Sequence, residues 1–154
     1  VIRRVLAAAG VALTALTLAG CATTVSLTPA DAANDPACAA VTVRLPDVVD
    51  GQQRRWTDAQ ATGSWGDPTT VILTCGVDAP GPSTLPCLTV DGVDWIIDDT
   101  EAPNYRFTTF GREPAVEVYL DYDAVSGQET LTALATAVGT LPVDGSVCTD
   151  RATG

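Results

Sequence analysis

The sequence predicts an α+β domain: an antiparallel sheet of about five strands with an N-terminal and a C-terminal helix packed on one face, closed by two disulfides. Three observations carry this. Short apolar runs with period-two alternation fill the stretch from Val48 to Asp121, helix start and stop signals flank it on both sides, and four cysteines lie in or beside it.

The first helix is signalled by "NDPACAAVTVRLP". Asp35 is placed to cap it and Pro36 stands at the first helical position, where its missing N–H costs nothing. Leu45 precedes Pro46 and is pushed out of the helical region, so the expected helix runs over 36–45. In "TTVILTCGV", Val71, Leu73 and Cys75 share one face and Thr70, Ile72 and Thr74 the other. "CLTV" and "VDWIID" flank Asp91-Gly92, a strong hairpin signal, and "NYRFTTFGREPAVEVYLD" predicts a second hairpin turning at "GREP". In that second arm Val116, Val118 and Leu120 alternate with Glu117 and Tyr119, as expected for a sheet covered on one side. Ser126 and Glu129 form a capping box for a last helix, in which Leu131, Leu134, Ala135 and Val138 make an apolar stripe ending at Gly139. Trp95, Phe107 and Val118 are expected in the core, with Arg112 and Glu113 as a surface pair at a turn tip.

Residues 1–20 have the order of a secretory signal: Arg3 and Arg4, then sixteen uncharged residues, then small ones before Cys21. Val1 is consistent with a non-standard start codon. A helix of that apolar length spans about 24 Å, short of the roughly 30 Å hydrocarbon core, so a signal is favoured over a permanent transmembrane helix. Leu18, Ala19, Gly20 and Cys21 resemble a bacterial lipobox, in which the thiol receives a diacylglycerol and a peptidase cuts just before it. An ordinary signal peptide with an incidental cysteine is the alternative. The expected organisation is a signal peptide over 1–20, a tether over 21–34 and one domain over 35–154. The tether reaches about 45 Å at most when extended, so the domain is expected to work close to an extracytoplasmic membrane surface.

Net charge is −11, and removal of Arg3 and Arg4 with the signal takes it to −13. Such a domain repels nucleic-acid phosphates and anionic headgroups alike, so membrane association calls for a covalent anchor; two acyl chains suffice. With Cys21 acylated, Cys38, Cys75, Cys87 and Cys148 remain, an even number suited to an oxidising compartment. Three pairings are possible. Cys75–Cys87 across a short loop and Cys38–Cys148 between the first helix and the tail are the preferred pair. Zinc is disfavoured, since the chain has no histidine and no C-x-x-C spacing.

Missing residue types exclude more. Without histidine there is no Ser-His-Asp or Cys-His site, and without lysine no Schiff base or P-loop lysine. No cofactor or metal is expected. The richest carboxylate cluster is Asp94, Asp98, Asp99 and Glu101, readable as a weak calcium site, as an acid–base pair for glycan hydrolysis, or as solvated charges that blunt a strand end. "RRWTDAQATGSWGDP" offers Arg54, Arg55, Trp56 and Trp65 as a grip for a carboxylate or sugar face. Gly63 and Gly66 would allow a tight loop that sets the Trp65 indole. The alternative makes both tryptophans core anchors and pairs the arginines with nearby aspartates.

"LPDVVDGQQRR", "WGDPTTVILTCGV", "TVDGVDWI" and "FTTFGREPAVEV" together resemble the secreted actinobacterial family known as domain of unknown function 3515, from about Pro36 to Cys148. The resemblance implies an envelope setting and brings no activity or catalytic residues. The expected function is a non-catalytic envelope lipoprotein, attached through Cys21, that contacts an envelope protein or wall polymer. A carboxylate-dependent glycan hydrolase and a small-ligand binder are the alternatives.

Overall fold

The computed structural model describes residues 23–149; the expected signal peptide and Cys21 lie outside them. In chain order the elements are α1 (Pro36–Thr42), β1 (Val48–Val49), β2 (Gln52–Arg55), β3 (Thr62–Trp65), β4 (Val71–Val77), β5 (Cys87–Val90), β6 (Val93–Asp98), β7 (Asn104–Phe110), β8 (Ala115–Asp121) and α2 (Gly127–Val138). The eight strands form one antiparallel sheet in the order β1-β2-β3-β4-β8-β7-β6-β5. Two four-stranded meanders, β1 to β4 and β5 to β8, are thus joined through β4 and β8.

The five expected strands are β4 to β8. The three additional ones are short and lack alternation. β2 is "QQRR", with no apolar face, and β3 is "TGSW", buried on both faces. Their signal was the turn: Asp50-Gly51 repeats the Asp91-Gly92 pattern, and all four residues have positive φ, as a two-residue hairpin requires.

On one face Val71, Leu73 and Cys75 of β4 sit opposite Leu120, Val118 and Val116 of β8, and all six are fully buried. Phe107 and Trp95 extend that layer across β7 and β6, while Leu131, Leu134 and Val138 of α2 and Val41 of α1 belong to the same core cluster. The two helices also touch one another. The other face is polar around Arg106, Glu117 and Tyr119.

Asp35 caps α1 by accepting from the Ala37 amide, and Pro36 opens it, as expected. The helix is three residues shorter than its signal because the Arg44 and Leu45 amides turn back to Val41 and Thr42, tightening the last turn before Pro46. At α2, Ser126 accepts from the Glu129 amide, but the reciprocal half of the capping box is supplied from elsewhere: the Ser126 amide donates to Asp50 Oδ2 at 2.6 Å.

Both disulfides exist, with a pairing that differs from the preferred one. Cys38 bonds Cys75, fastening α1 to β4, and Cys87 bonds Cys148, fastening the tail to the far edge strand. Cys75 and Cys87 cannot meet because β8, β7 and β6 stand between their strands, a separation of about 19 Å at about 4.8 Å per strand. The loop between them crosses the sheet and is not a hairpin. With sequence separations of 37 and 61, chain entropy assigns each bridge about 4 kcal/mol.

Arg112 is likewise not a surface residue. Its buried guanidinium donates to the carbonyls of Gly139 and Leu141 at the end of α2 and of Gly92 at a hairpin tip. The negative end of the helix dipole compensates its charge.

The pairing has a direct chemical check. Trypsin cuts after Arg44, Arg55, Arg106 and Arg112, leaving Cys75 and Cys87 on one peptide. Non-reducing digestion is expected to give that peptide bridged to both the Cys38 and the Cys148 peptides, and further cleavage before Asp78 should separate two bridged pairs. A Cys38 peptide linked directly to the Cys148 peptide contradicts this fold.

Candidate functional site

Arg54 and Arg55 end β2, and Trp56 follows where the strand leaves the sheet. Together with Thr42, Asp47 and Thr62 they line a cleft of about 450 Å³. Trp56 is 79% exposed, so its indole stands in solvent at the rim. Arg54 donates to the Leu45 carbonyl at 3.1 Å, and among the described residues it forms no ion pair. Arg55 pairs with Asp67 at 3.2 Å, but that carboxylate is 83% exposed and the pair is worth little.

Trp65 does not join this group. It is fully buried on the core face and donates Nε1–H to the Pro46 carbonyl at 3.0 Å. Gly63 shares its face two residues earlier, and a Cβ there would lie 2.6 Å from the indole ring. The glycine therefore makes room for the ring from within β3, rather than shaping a loop around it. One tryptophan is a core anchor and the other is free.

Residues 23–34, expected to act as a spacer, are stitched along the domain. Arg55 donates to the Thr23 carbonyl at 2.9 Å and to Thr23 Oγ1 at 2.6 Å. Val25 exchanges backbone hydrogen bonds with Trp56 and Asp58 in a parallel bridge beside Thr57. The Asp58 carboxylate accepts from the Leu27 amide at 2.9 Å and Ser26 Oγ at 2.8 Å, and Ala32 donates to the Gly76 carbonyl. The Leu27 amide first and Ser26 second hold the Asp58 carboxyl below its ordinary value. Thr23 and Asp58 are the residues of this region that sequence patterning does not reveal. They meet their partners from about thirty residues away.

The acidic cluster is divided. Asp94 and Asp98 lie four residues apart on β6, about 13 Å along the strand, beyond the roughly 5 to 9.5 Å separations of glycosidase carboxylate pairs. Asp94 accepts from Thr89 Oγ1 and from the Cys148 amide at 2.8 Å, so it braces the tail. Asp98 accepts from the Thr100 amide, and hydrogen bonding from Thr100, with Arg106 behind it, lowers its pKa. Glu101 pairs with Arg106, which also binds Glu117 and lies over the Tyr119 ring at 4.8 Å. Partial desolvation, followed by the Glu101 carboxylate, pushes the Tyr119 phenol up and keeps it protonated as a donor to Glu101. Asp94, Asp98 and Glu101 are thus each held by a different partner, and no two of them are brought together as an acid–base pair. Among the described residues no group of three or more His, Cys, Asp or Glu side chains is placed to hold a metal ion, and no helix is long and apolar enough to cross a membrane.

With this geometry established, family comparison adds one finding. Residues 1–144 match the sequence profile described as "Protein of unknown function (DUF3515)". The chain belongs to this family. No curated protein and no solved structure matches it. The DUF3515 description assigns no reaction, so function rests on the residues described above.

Asp58→Ala is expected to release residues 23–29 of this DUF3515 chain: amide exchange at Val25 and Leu27 should rise and the segment should become protease-sensitive, while the core stays protected. Acid acts in the same direction. Because the folded pKa of Asp58 is depressed, its hold is complete above the ordinary 3.8 and weakens as pH falls from there through the folded value. Unchanged exchange at Leu27 in the variant rules the contact out.

Proposed function

We propose that this DUF3515 protein is an envelope lipoprotein, exported by residues 1–20, acylated on Cys21, and held at the extracytoplasmic face of the membrane as a non-catalytic interaction or structural domain. The observation that carries the reading is the Arg55–Thr23 clamp. It holds the chain two residues from Cys21 against the folded body, an arrangement suited to a domain fixed at its anchor. The division of Asp94, Asp98 and Glu101 among separate partners favours binding over glycan hydrolysis. Its partner is an envelope protein or wall polymer.

Cys21→Ala is expected to move the protein from the membrane fraction to the soluble one, or to block its processing. A variant that is still processed and membrane-bound excludes the anchor. Turnover of a wall substrate that is lost in Asp94→Asn or Asp98→Asn would replace the non-catalytic reading.

The cleft supports a second reading, a small anionic ligand held by Arg54 and Arg55 against Trp56. A carboxylate ligand of this kind should raise the melting temperature of the wild type and not of Arg54→Ala, a substitution that leaves the Thr23 clamp in place. Equal shifts in both remove Arg54 from the site.

A further inference from the structure

We infer that the end of the molecule bearing Arg54, Arg55 and Trp56 is seated on the bilayer, with the Trp56 indole in the lipid headgroup layer. The inference rests on acylation of Cys21 and deepens that reading by stating which face meets the membrane.

Anchor geometry comes first. Arg55 grips Thr23 by carbonyl and hydroxyl, and Val25 is hydrogen-bonded to Trp56 and Asp58. Two residues of extended chain reach about 7 Å, so the acyl chains on Cys21 leave the protein within about that distance of Thr23. They cannot emerge from the opposite end of the domain without breaking the clamp.

Side-chain chemistry at this end suits an interface. Trp56 and Val43 are 79% and 78% exposed, and Val43 and Val48 directly follow the cleft residues Thr42 and Asp47. An indole gains most where its ring meets acyl chains and its N–H meets water. Arg44 is exposed beside Val43; one N–H of its guanidinium donates to the Ala40 carbonyl at 2.8 Å, which leaves the others for a headgroup phosphate.

Charge selects the same face. Arg44, Arg54 and Arg55, three of the five arginines among the described residues, stand here against Asp47, Asp58 and Asp67, which leaves this end near neutral. The rest of the described chain carries fifteen carboxylates against Arg106 and Arg112. Those carboxylates repel an anionic bilayer, so charge favours approach by the near-neutral end on the anchor.

The test uses the full chain, purified from membranes of an acylating host and reconstituted into phosphatidylcholine–phosphatidylglycerol vesicles with brominated acyl chains. Intact mass reports the lipid on Cys21 and so tests the anchor separately. Trp65 and Trp95 are fully buried, so the emission difference between wild type and Trp56→Phe isolates Trp56. Brominated chains are expected to quench most of that difference, and iodide should no longer reach it; Arg54→Glu should weaken both effects. Acylated protein whose Trp56 remains unquenched and open to iodide overturns the seating and leaves the anchor intact. Unmodified Cys21 overturns both. Shielding of Trp56 by soluble wall-glycan fragments, but not by vesicles, assigns the cleft to the wall and overturns the seating.

Discussion

The pairing of β4 with β8 is the constraint on which the rest of this structure depends. It joins the last strand of each meander, Val71 to Leu120 and Cys75 to Val116, and so turns two meanders into one sheet. The inward residues of β4 and β8, along the seam between them, are fully buried in one core cluster with residues of both helices, α1 lying against β4 and α2 reaching the edge strands β1 and β5. Cys75 lies on that seam, so the Cys38 bridge fastens α1 to the centre of the sheet. The same pairing sends β5 to the outer edge, where the tail can reach Cys87. A long-range strand pair closes a large loop before its contacts reward it, and the two disulfides offset part of that entropy in the unfolded chain.

Local pattern and global order were legible to different degrees. Ser126, Glu129 and the stripe at Leu131, Leu134 and Val138 locate α2, and Asp91-Gly92 locates the β5–β6 turn, because each signal lies within one turn or one hairpin. β3 was not legible by alternation: Thr62 and Ser64 are buried on the face opposite Trp65, where Thr57, Ala59 and Thr69 cover them. Disulfide pairing was illegible for a stronger reason. Cys75 and Cys87 flank what reads as a hairpin loop, and only the order of four intervening-strand pairings shows that the loop crosses the sheet.

The candidate site divides in the same way. Arg54, Arg55 and Trp56 are consecutive, so a strand end suffices to bring them to one cleft. Trp65 leaves the group because Gly63, two residues away and therefore on the same face, makes space for its indole, a relation visible in the spacing once β3 is known. The carboxylates depend on distant backbone. Asp50 caps α2 from 76 residues away, Asp58 holds Leu27 from 31, and Asp94 holds the Cys148 amide from 54. In a chain this acidic, several aspartates thus serve as acceptors for otherwise unpaired amides, which lowers the number available for chemistry.

That use of charge bears on how a strongly acidic domain can live beside an anionic surface. With the proposed anchor, acyl chains would oppose escape from the bilayer but would not set orientation, and a spacer of a dozen free residues would let the domain tumble. Here the spacer is bound from Thr23 to Ala32, through Arg55, the Val25 bridge, Asp58 and the Gly76 carbonyl. Each contact is a hydrogen bond of modest strength, so the register depends on several of them together, and losing the two at Asp58 frees the stretch around Val25 and Leu27. With the proposed anchor at Cys21, orientation would be inherited from the fold: the side nearest the anchor is the end of β2, where Arg54 and Arg55 close the strand and Trp56 follows it.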